Sequence, residues 1–357
     1  MKRTRRARRS KGWTPEDLER RQARAMIMVG DLAIRAGSHR PAPTDAPEAA
    51  VGGFGSLAFS FPAVEGDRTH DPWSGPLIAR LDPPGGPDGD RLSVEDEAEW
   101  YHFAGEHGLT SPPILAVVPA TDTDSGALVM TAPTETSFIE RIGDPTQAAD
   151  VLTMLGAIHA RIHQLPFDQA PGPVLDVGEV LEALSDEIDA AGEHAERDPA
   201  LEWLATHQPD SGPAVVCHGE VHPSAVRLLD DDPEGTAPIV TNWTRATLAD
   251  PEYDLGRTLV TLWASPYVAT SRLDRSLMMM IRDGMLETYR TGYTSVGTID
   301  EDRLRFWQTY HARFYAARAR STPHPDPWDP LAVVPHLTPL RRGLNERAAE
   351  LTRSFQR

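Results

Sequence analysis

Ala214-Val215-Val216-Cys217-His218-Gly219-Glu220-Val221-His222-Pro223-Ser224-Ala225-Val226-Arg227-Leu228-Leu229 and, beyond an acidic turn, Pro238-Ile239-Val240-Thr241-Asn242-Trp243 decide how this chain folds. Ala214 to Cys217, Val226 to Leu229 and Pro238 to Thr241 are short apolar runs separated by turn residues, and they read as buried strands. The acidic turn itself, Asp230-Asp231-Asp232 before Pro233 and Gly235, reads as a solvated loop. Around these strands the chain after Pro133 is helical. Val151, Met154, Leu155, Ile158, Ile162 and Leu165 trace one face of an amphipathic helix, and similar patterns run through 179–191, 272–290, 301–320 and 337–355.

Before Pro133 the pattern is β-rich. Val51 to Phe61 reads as a glycine turn entering a strand, and Pro76 to Leu81 as its hairpin partner. Residues 82–90 (DPPGGPDGD) read as a loop. A helix over Val94 to Glu106 and strands at Ile114 to Val118 and Ala127 to Met130 follow. Upstream, Thr14 as N-cap, Pro15 at the first helical position and acids in the first turn start a helix that runs to about Gly37. Leu18, Ala25, Met26, Val29, Leu32 and Ala33 give it one docking face. Strands first and helices second, with a few strands embedded among the helices, indicate an α+β fold of two lobes. Its parts are a basic disordered tail (1–12), a helix and proline-rich linker (13–50, the linker from 38), a small β-rich lobe (51–131) and a helical lobe (132–357).

The net charge of -18 is uneven: residues 1–11 hold seven of the 35 basic residues and no acid, leaving 28 basic against 53 acidic residues elsewhere. An acidic body argues against specific nucleic-acid binding and suits a cationic small molecule, although solubility alone also explains it. The tail suits anionic surfaces. A single Cys217 excludes a disulfide framework, and no apolar run reaches the roughly 20 residues of a membrane span, so a cytoplasmic protein is expected. His194, His207, His311 and His324 show no zinc-ligand spacing, and Cys217 reads as a core residue.

His218-Gly219-Glu220 through Ala225, then Asn242-Trp243, then Asp250-Pro251 with Tyr253-Asp254-Leu255, resemble the active-site signature of the aminoglycoside phosphotransferase family, HGDxxxxN, IDW and a DPxYDLA-like run. The resemblance covers roughly residues 50–260 and implies a protein-kinase-like fold, ATP and Mg2+. It places the family's catalytic base at Glu220, its metal-binding amide at Ala225 and its main metal carboxylate at Asn242. His218, Gly219 and Trp243 fit the scaffold letters, and Asp254 is expected to hold the loop's backbone. Leu155 to Ala160 resembles the family's LxxLHA element, with His159 a hydrogen-bonded packing residue.

The altered letters have physical consequences. Glu220 carries its charge one methylene further out, and a displacement of ~1 Å in a positioned group costs on the order of a hundredfold. Ala225 offers no ligand. Asn242 offers a neutral amide where magnesium prefers charged oxygen at about 2.1 Å. In the small lobe, Arg80 resembles the strand cation that faces the nucleotide phosphates and Glu97 its helix partner, with Glu95 and Glu99 also open for that place. Gly53 and Ser56 lie where a phosphate-covering turn belongs, a position that a plain hairpin turn also explains, and Met130 falls at the adenine hinge. Two functions follow: a pseudokinase that binds a small molecule or protein partner, or an active small-molecule kinase with a rearranged metal shell. A tethering protein that works through its basic tail is a third.

Overall fold

Two-residue alternation builds the first lobe. In the computed structural model, which describes residues 15–38, 47–51, 57–64, 71–87, 91–133, 138–142, 146–210, 212–228, 238–268, 272–321 and 337–353, five strands form one antiparallel sheet. They are β1 (Glu48–Val51), β2 (Leu57–Phe61), β3 (Leu77–Leu81), β4 (Ile114–Val118) and β5 (Ala127–Thr131), in the order β1-β2-β3-β5-β4. Leu77, Ala79 and Leu81 of β3 join a core with Ala25, Val29 and Ala33 of helix α1 (Pro15–Arg35), while Ile78 and Leu128 pack with the core on the sheet's other side. The four-residue spacing of Ala25, Val29 and Ala33 puts three small side chains on one stripe, so the helix seats closely on the sheet.

β1 corrects the reading of residues 38–50 as linker throughout. Glu48 to Val51 pairs with β2, Val51 opposite Leu57, because a strand edge can be completed by a short segment too weakly patterned to declare itself. The tail 1–12, the Thr14 cap and residues 39–46 of the linker lie outside the described residues, as do Gly53 and Ser56.

Helix α2 (Val94–Glu106) begins at Ser93, whose hydroxyl accepts from the Asp96 amide at 3.1 Å, and Glu95, Asp96 and Glu97 favour its positive end. Trp100, Tyr101 and Phe103 then project into a core shared with the second lobe, where they meet Val216, Val221, Trp243 and Leu248. The lobes are thus joined through α2.

The second lobe comprises α3 (Phe138–Ile142), α4 (Ala148–Ile162), α5 (Val177–Ala190), α6 (Pro199–Thr206), α7 (Pro251–Val268), α8 (Arg272–Thr294), α9 (Glu301–Ser321) and α10 (Leu337–Arg353). Two small ladders lie among them: β6 (Val215–Cys217) with β9 (Thr247–Ala249), and β7 (Val226–Arg227) with β8 (Ile239–Val240). The β7 strand is shorter than its apolar run suggests. A Cβ on Gly156 of α4 would stand 2.1 Å from the Tyr289 carbonyl of α8, so these helices cross at backbone contact. That closeness brings Tyr289 and Tyr293 against His159 and His163. Among the described residues no helix is long and apolar enough to cross a membrane.

Candidate active site

The loop after β6 is held from α7. Asp254, in the first turn of that helix, accepts hydrogen bonds from the His218 amide on Oδ2 (2.6 Å) and from the Gly219 amide on Oδ1 (3.0 Å). Arg257, one turn further along, donates from Nη1 to the Gly219 carbonyl at 3.0 Å. Both polar ends of Gly219 are therefore tied to one helix. Gly219 has φ +80°, and a Cβ there would lie 2.2 Å from the Arg245 carbonyl, so no side chain fits.

Asp254 is completely buried, yet His159 and His163 overcome the effect of burial and hold its carboxyl well below the usual range. His159 Nε2 lies 3.1 Å and His163 Nε2 3.5 Å from Asp254 Oδ2. Their Nδ1 atoms share hydrogen bonds with the hydroxyls of Tyr289 and Tyr293 respectively. His218 sits with Nε2 3.0 Å from the Thr241 carbonyl, which requires a proton there and leaves Nδ1 to accept from the Glu220 amide at 3.2 Å. Burial lowers its pKa to about 4, so the ring is neutral at physiological pH.

At the front of this loop Glu220 and Asn242 meet, and Ala225 is tied to Thr241, the residue before Asn242. Asn242 Nδ2 donates to Glu220 Oε2 at 3.1 Å, and Thr244 Oγ1 donates to Asn242 Oδ1 at 3.0 Å. The Asn242 amide is thus engaged at both ends, and its partner Glu220 is only 2 % exposed. Asn242 has φ +69°, a left-handed conformation that Asn tolerates better than most side chains, and its backbone amide donates to the Tyr101 hydroxyl of α2 at 2.7 Å. Ala225 is buried, with its carbonyl accepting from the Thr241 amide at 2.8 Å. These residues do not fit magnesium: Ala225 supplies no oxygen from its side chain, the Asn242 oxygen already accepts from Thr244, and Glu220 is left as the one carboxylate.

In the small lobe Arg80 is 3 % exposed and held between two carboxylates, Nη1 2.8 Å from Glu97 Oε2 and Nη2 2.8 Å from Asp82 Oδ1. Nη2 also donates to the Leu92 carbonyl at 2.6 Å. Of the three glutamates considered as its partner, Glu97 is the one in contact, while Glu99 is exposed. Burial raises the pKa of both Glu97 and Asp82 against the pull of Arg80. Glu97 also accepts from the Trp243 backbone. Trp243 stacks on Trp100 at 6.0 Å between centroids and meets His218 edge-on at 4.6 Å. Met130 lies 4 % exposed in β5, within the core shared by the lobes.

Several residues of the site were not singled out from sequence, and simple spacing would have found them. Asp82 is two residues after Arg80, on the same side of the strand; Tyr101 is four after Glu97 and Arg257 three after Asp254, each one helical turn away. His163 stands four residues after His159 by the same rule.

The profile of the phosphotransferase enzyme family matches residues 67–307, and the chain belongs to that family. Among solved structures it is similar to the aminoglycoside-3'-phosphotransferase of type VIII, with 22 % identity and a TM-score of 0.52, over 80 % of this chain and 99 % of that one. It is also similar to aminoglycoside 2'-phosphotransferase-IIIa in its GDP complex, at 14 % identity and TM-score 0.55, covering 91 % and 99 %. A third is a choline/ethanolamine kinase family protein from Mesorhizobium loti, at 16 % identity and TM-score 0.50, covering 93 % and 94 %. At these identities the likeness establishes the protein-kinase-like fold. No curated protein matches the chain.

Proposed function

We propose that this chain is a pseudokinase of the phosphotransferase family, a kinase-like fold whose cleft serves ligand or partner binding in place of efficient phosphoryl transfer from ATP. The observation that carries this reading is the hydrogen bond from Asn242 to Glu220, which pairs the position of the main metal carboxylate with that of the catalytic base. Binding magnesium would require breaking that bond and finding most of an octahedron from water and nucleotide alone. In the small lobe the pairing of Arg80 with Glu97 is the one the active state of this fold uses, and it is the added Asp82 on Nη2 with which a phosphate would have to compete. The GDP complex of the 2'-phosphotransferase relative supports a nucleotide as one ligand class for the cleft, bound here with little help from metal.

The buried carboxylate of Glu220, on a loop held in place by Asp254 and Arg257, favours a second reading: an active O-phosphotransferase with a rearranged metal shell, acting on a hydroxyl of a small molecule, for which a cationic one suits the acidic body. The triple variant Glu220→Asp, Ala225→Asn, Asn242→Asp distinguishes them. The pseudokinase reading predicts magnesium-dependent ATP binding and slow ATP hydrolysis in the triple variant and neither in the parent, with single changes doing little because the groups act as one unit. Comparable magnesium-dependent hydrolysis by the parent would establish the second reading.

A further inference from the structure

His159 and His163 stand four residues apart on α4, so both rings leave the same face of one helix, and that face meets Asp254 on α7. A pair of histidines at this spacing with a carboxylate brought from another element is a ligand set for a transition metal. We propose that His159 Nε2, His163 Nε2 and Asp254 Oδ2 form a zinc site, a structural metal centre behind the loop and apart from the altered magnesium positions at its front.

Three observations carry this. The first is metrical. The three ligand atoms all lie within 4.8 Å of one another, and the two nitrogen-to-oxygen separations are 3.1 and 3.5 Å. Ligands about 2.0–2.1 Å from a tetrahedral zinc stand about 3.4 Å apart, so both nitrogen-to-oxygen separations match a shared zinc ion to within a few tenths of an ångström, and the two nitrogens stand within 4.8 Å of each other.

The second is the donor count. Asp254 Oδ2 faces the His218 amide at 2.6 Å as well as both imidazole Nε2 atoms. If each Nε2 carried a proton, one oxygen with two lone pairs would face three donors; if either did not, a nitrogen lone pair would face a carboxylate. A cation replaces the two imidazole protons and leaves the oxygen one amide and one metal to serve.

The third is the outer layer. His159 Nδ1 is held by the Tyr289 hydroxyl and His163 Nδ1 by the Tyr293 hydroxyl at 2.8 Å. Each hydroxyl oxygen can accept the Nδ1 proton that a zinc-bound imidazole must carry, which fixes the tautomer and the ring orientation. Two imidazoles and a carboxylate suit zinc better than the oxygen-seeking magnesium or calcium. His159 and Asp254 are fully buried and His163 is 8 % exposed, so His163 stands at the outer edge of the set. The consequence for the fold is direct, because the oxygen that would bind zinc also holds the His218 amide.

The test uses the full chain, purified without a metal-affinity tag, stripped with chelator and titrated with Co2+ as a visible probe and then with Zn2+. The proposal predicts saturation at equimolar metal, the intense visible bands of tetrahedral Co2+, their loss on adding Zn2+ and a higher melting temperature with either ion. His163→Gln, at the solvent edge, should lower affinity on the order of 100-fold or more while the circular dichroism is unchanged, and Tyr293→Phe should lower it roughly 10–100-fold. The second variant decides the matter if the first does not fold. Folded parent protein that gives no tetrahedral bands and no melting shift overturns the site, as does a Tyr293→Phe or His163→Gln variant that binds metal like the parent. The titration is independent of ATP and of Glu220 and Asn242, so its outcome leaves the pseudokinase reading to its own test.

Discussion

The two sides of the His218–Glu220 loop differ in what their polar groups do. At the back, Asp254 and Arg257 hold the backbone of residues 218 and 219 with three hydrogen bonds, and none of those bonds needs a ligand to be complete. At the front stand Glu220, Ala225 and Asn242, which the resemblance aligns with the family's base and metal ligands, and there Asn242 bonds to Glu220 and Ala225 contributes only backbone. The loop's shape and the loop's chemistry thus rest on separate residues. A backbone tethered to α7 keeps its conformation whatever side chains line the front, so the chemical letters can change without loss of the fold.

The largest test of that separation is Asp254→Asn. It exchanges a buried acceptor for an amide that must point one NH2 edge at existing donors, and breaking a buried ionic network of this kind costs about 3–5 kcal/mol. Urea unfolding at neutral pH measures it; a loss below about 1 kcal/mol, the worth of one ordinary hydrogen bond, would mean the loop is held elsewhere. A smaller effect is expected at the front. Asn242→Asp replaces the amide that Glu220 accepts from with a second carboxylate at 3.1 Å, leaving buried acceptors unpaired at a cost of about 1–3 kcal/mol. Repulsion raises the pKa of the pair, so this loss is present at neutral pH and is relieved as pH falls through the raised value; magnesium should also restore part of it. Melting curves with and without magnesium check both statements, and an unchanged melting temperature would show that the pairing carries little.

The smallest effect concerns acid. His222 is held down to about 4 by burial, against an ordinary value near 6.5, so the folded chain binds fewer protons there than the unfolded one. Its contribution to stability is therefore complete above about 6.5 and is lost as pH falls toward 4. His222→Gln should flatten the pH dependence of the melting temperature in that window, and only partly, because His218 has the same depressed value. An unchanged slope would place the acid sensitivity in other groups.

Much of this was legible in the sequence because it rests on periodicity and spacing. The α+β order, the helix over Val94 to Glu106 and the strands flanking His218 follow from apolar patterns that tertiary packing reinforces. The family followed from the spacing of His218, Trp243 and Asp254. What escaped was local or relational. β1 is a four-residue strand whose pairing with β2 depends on a neighbour, and α6 and β9 are too short for a period to show. The bond between Glu220 and Asn242 joins residues 22 apart, and no pattern within either segment announces it. Asp82 opens the loop after β3, as its surroundings of Pro and Gly indicate, and that composition gives no sign that its carboxylate both pairs with Arg80 and caps α2 through the Val94 amide at 2.8 Å.

Calorimetric titration of the parent protein with ATP, with and without magnesium, shows whether the front of the loop holds a metal. If Glu220 and Asn242 satisfy each other in place of a metal, ATP binding is weak and magnesium changes its affinity by less than tenfold, about 1.4 kcal/mol. A tenfold or greater gain with magnesium would contradict the account, since it would require the front of the loop to hold the ion that its own hydrogen bonds displace.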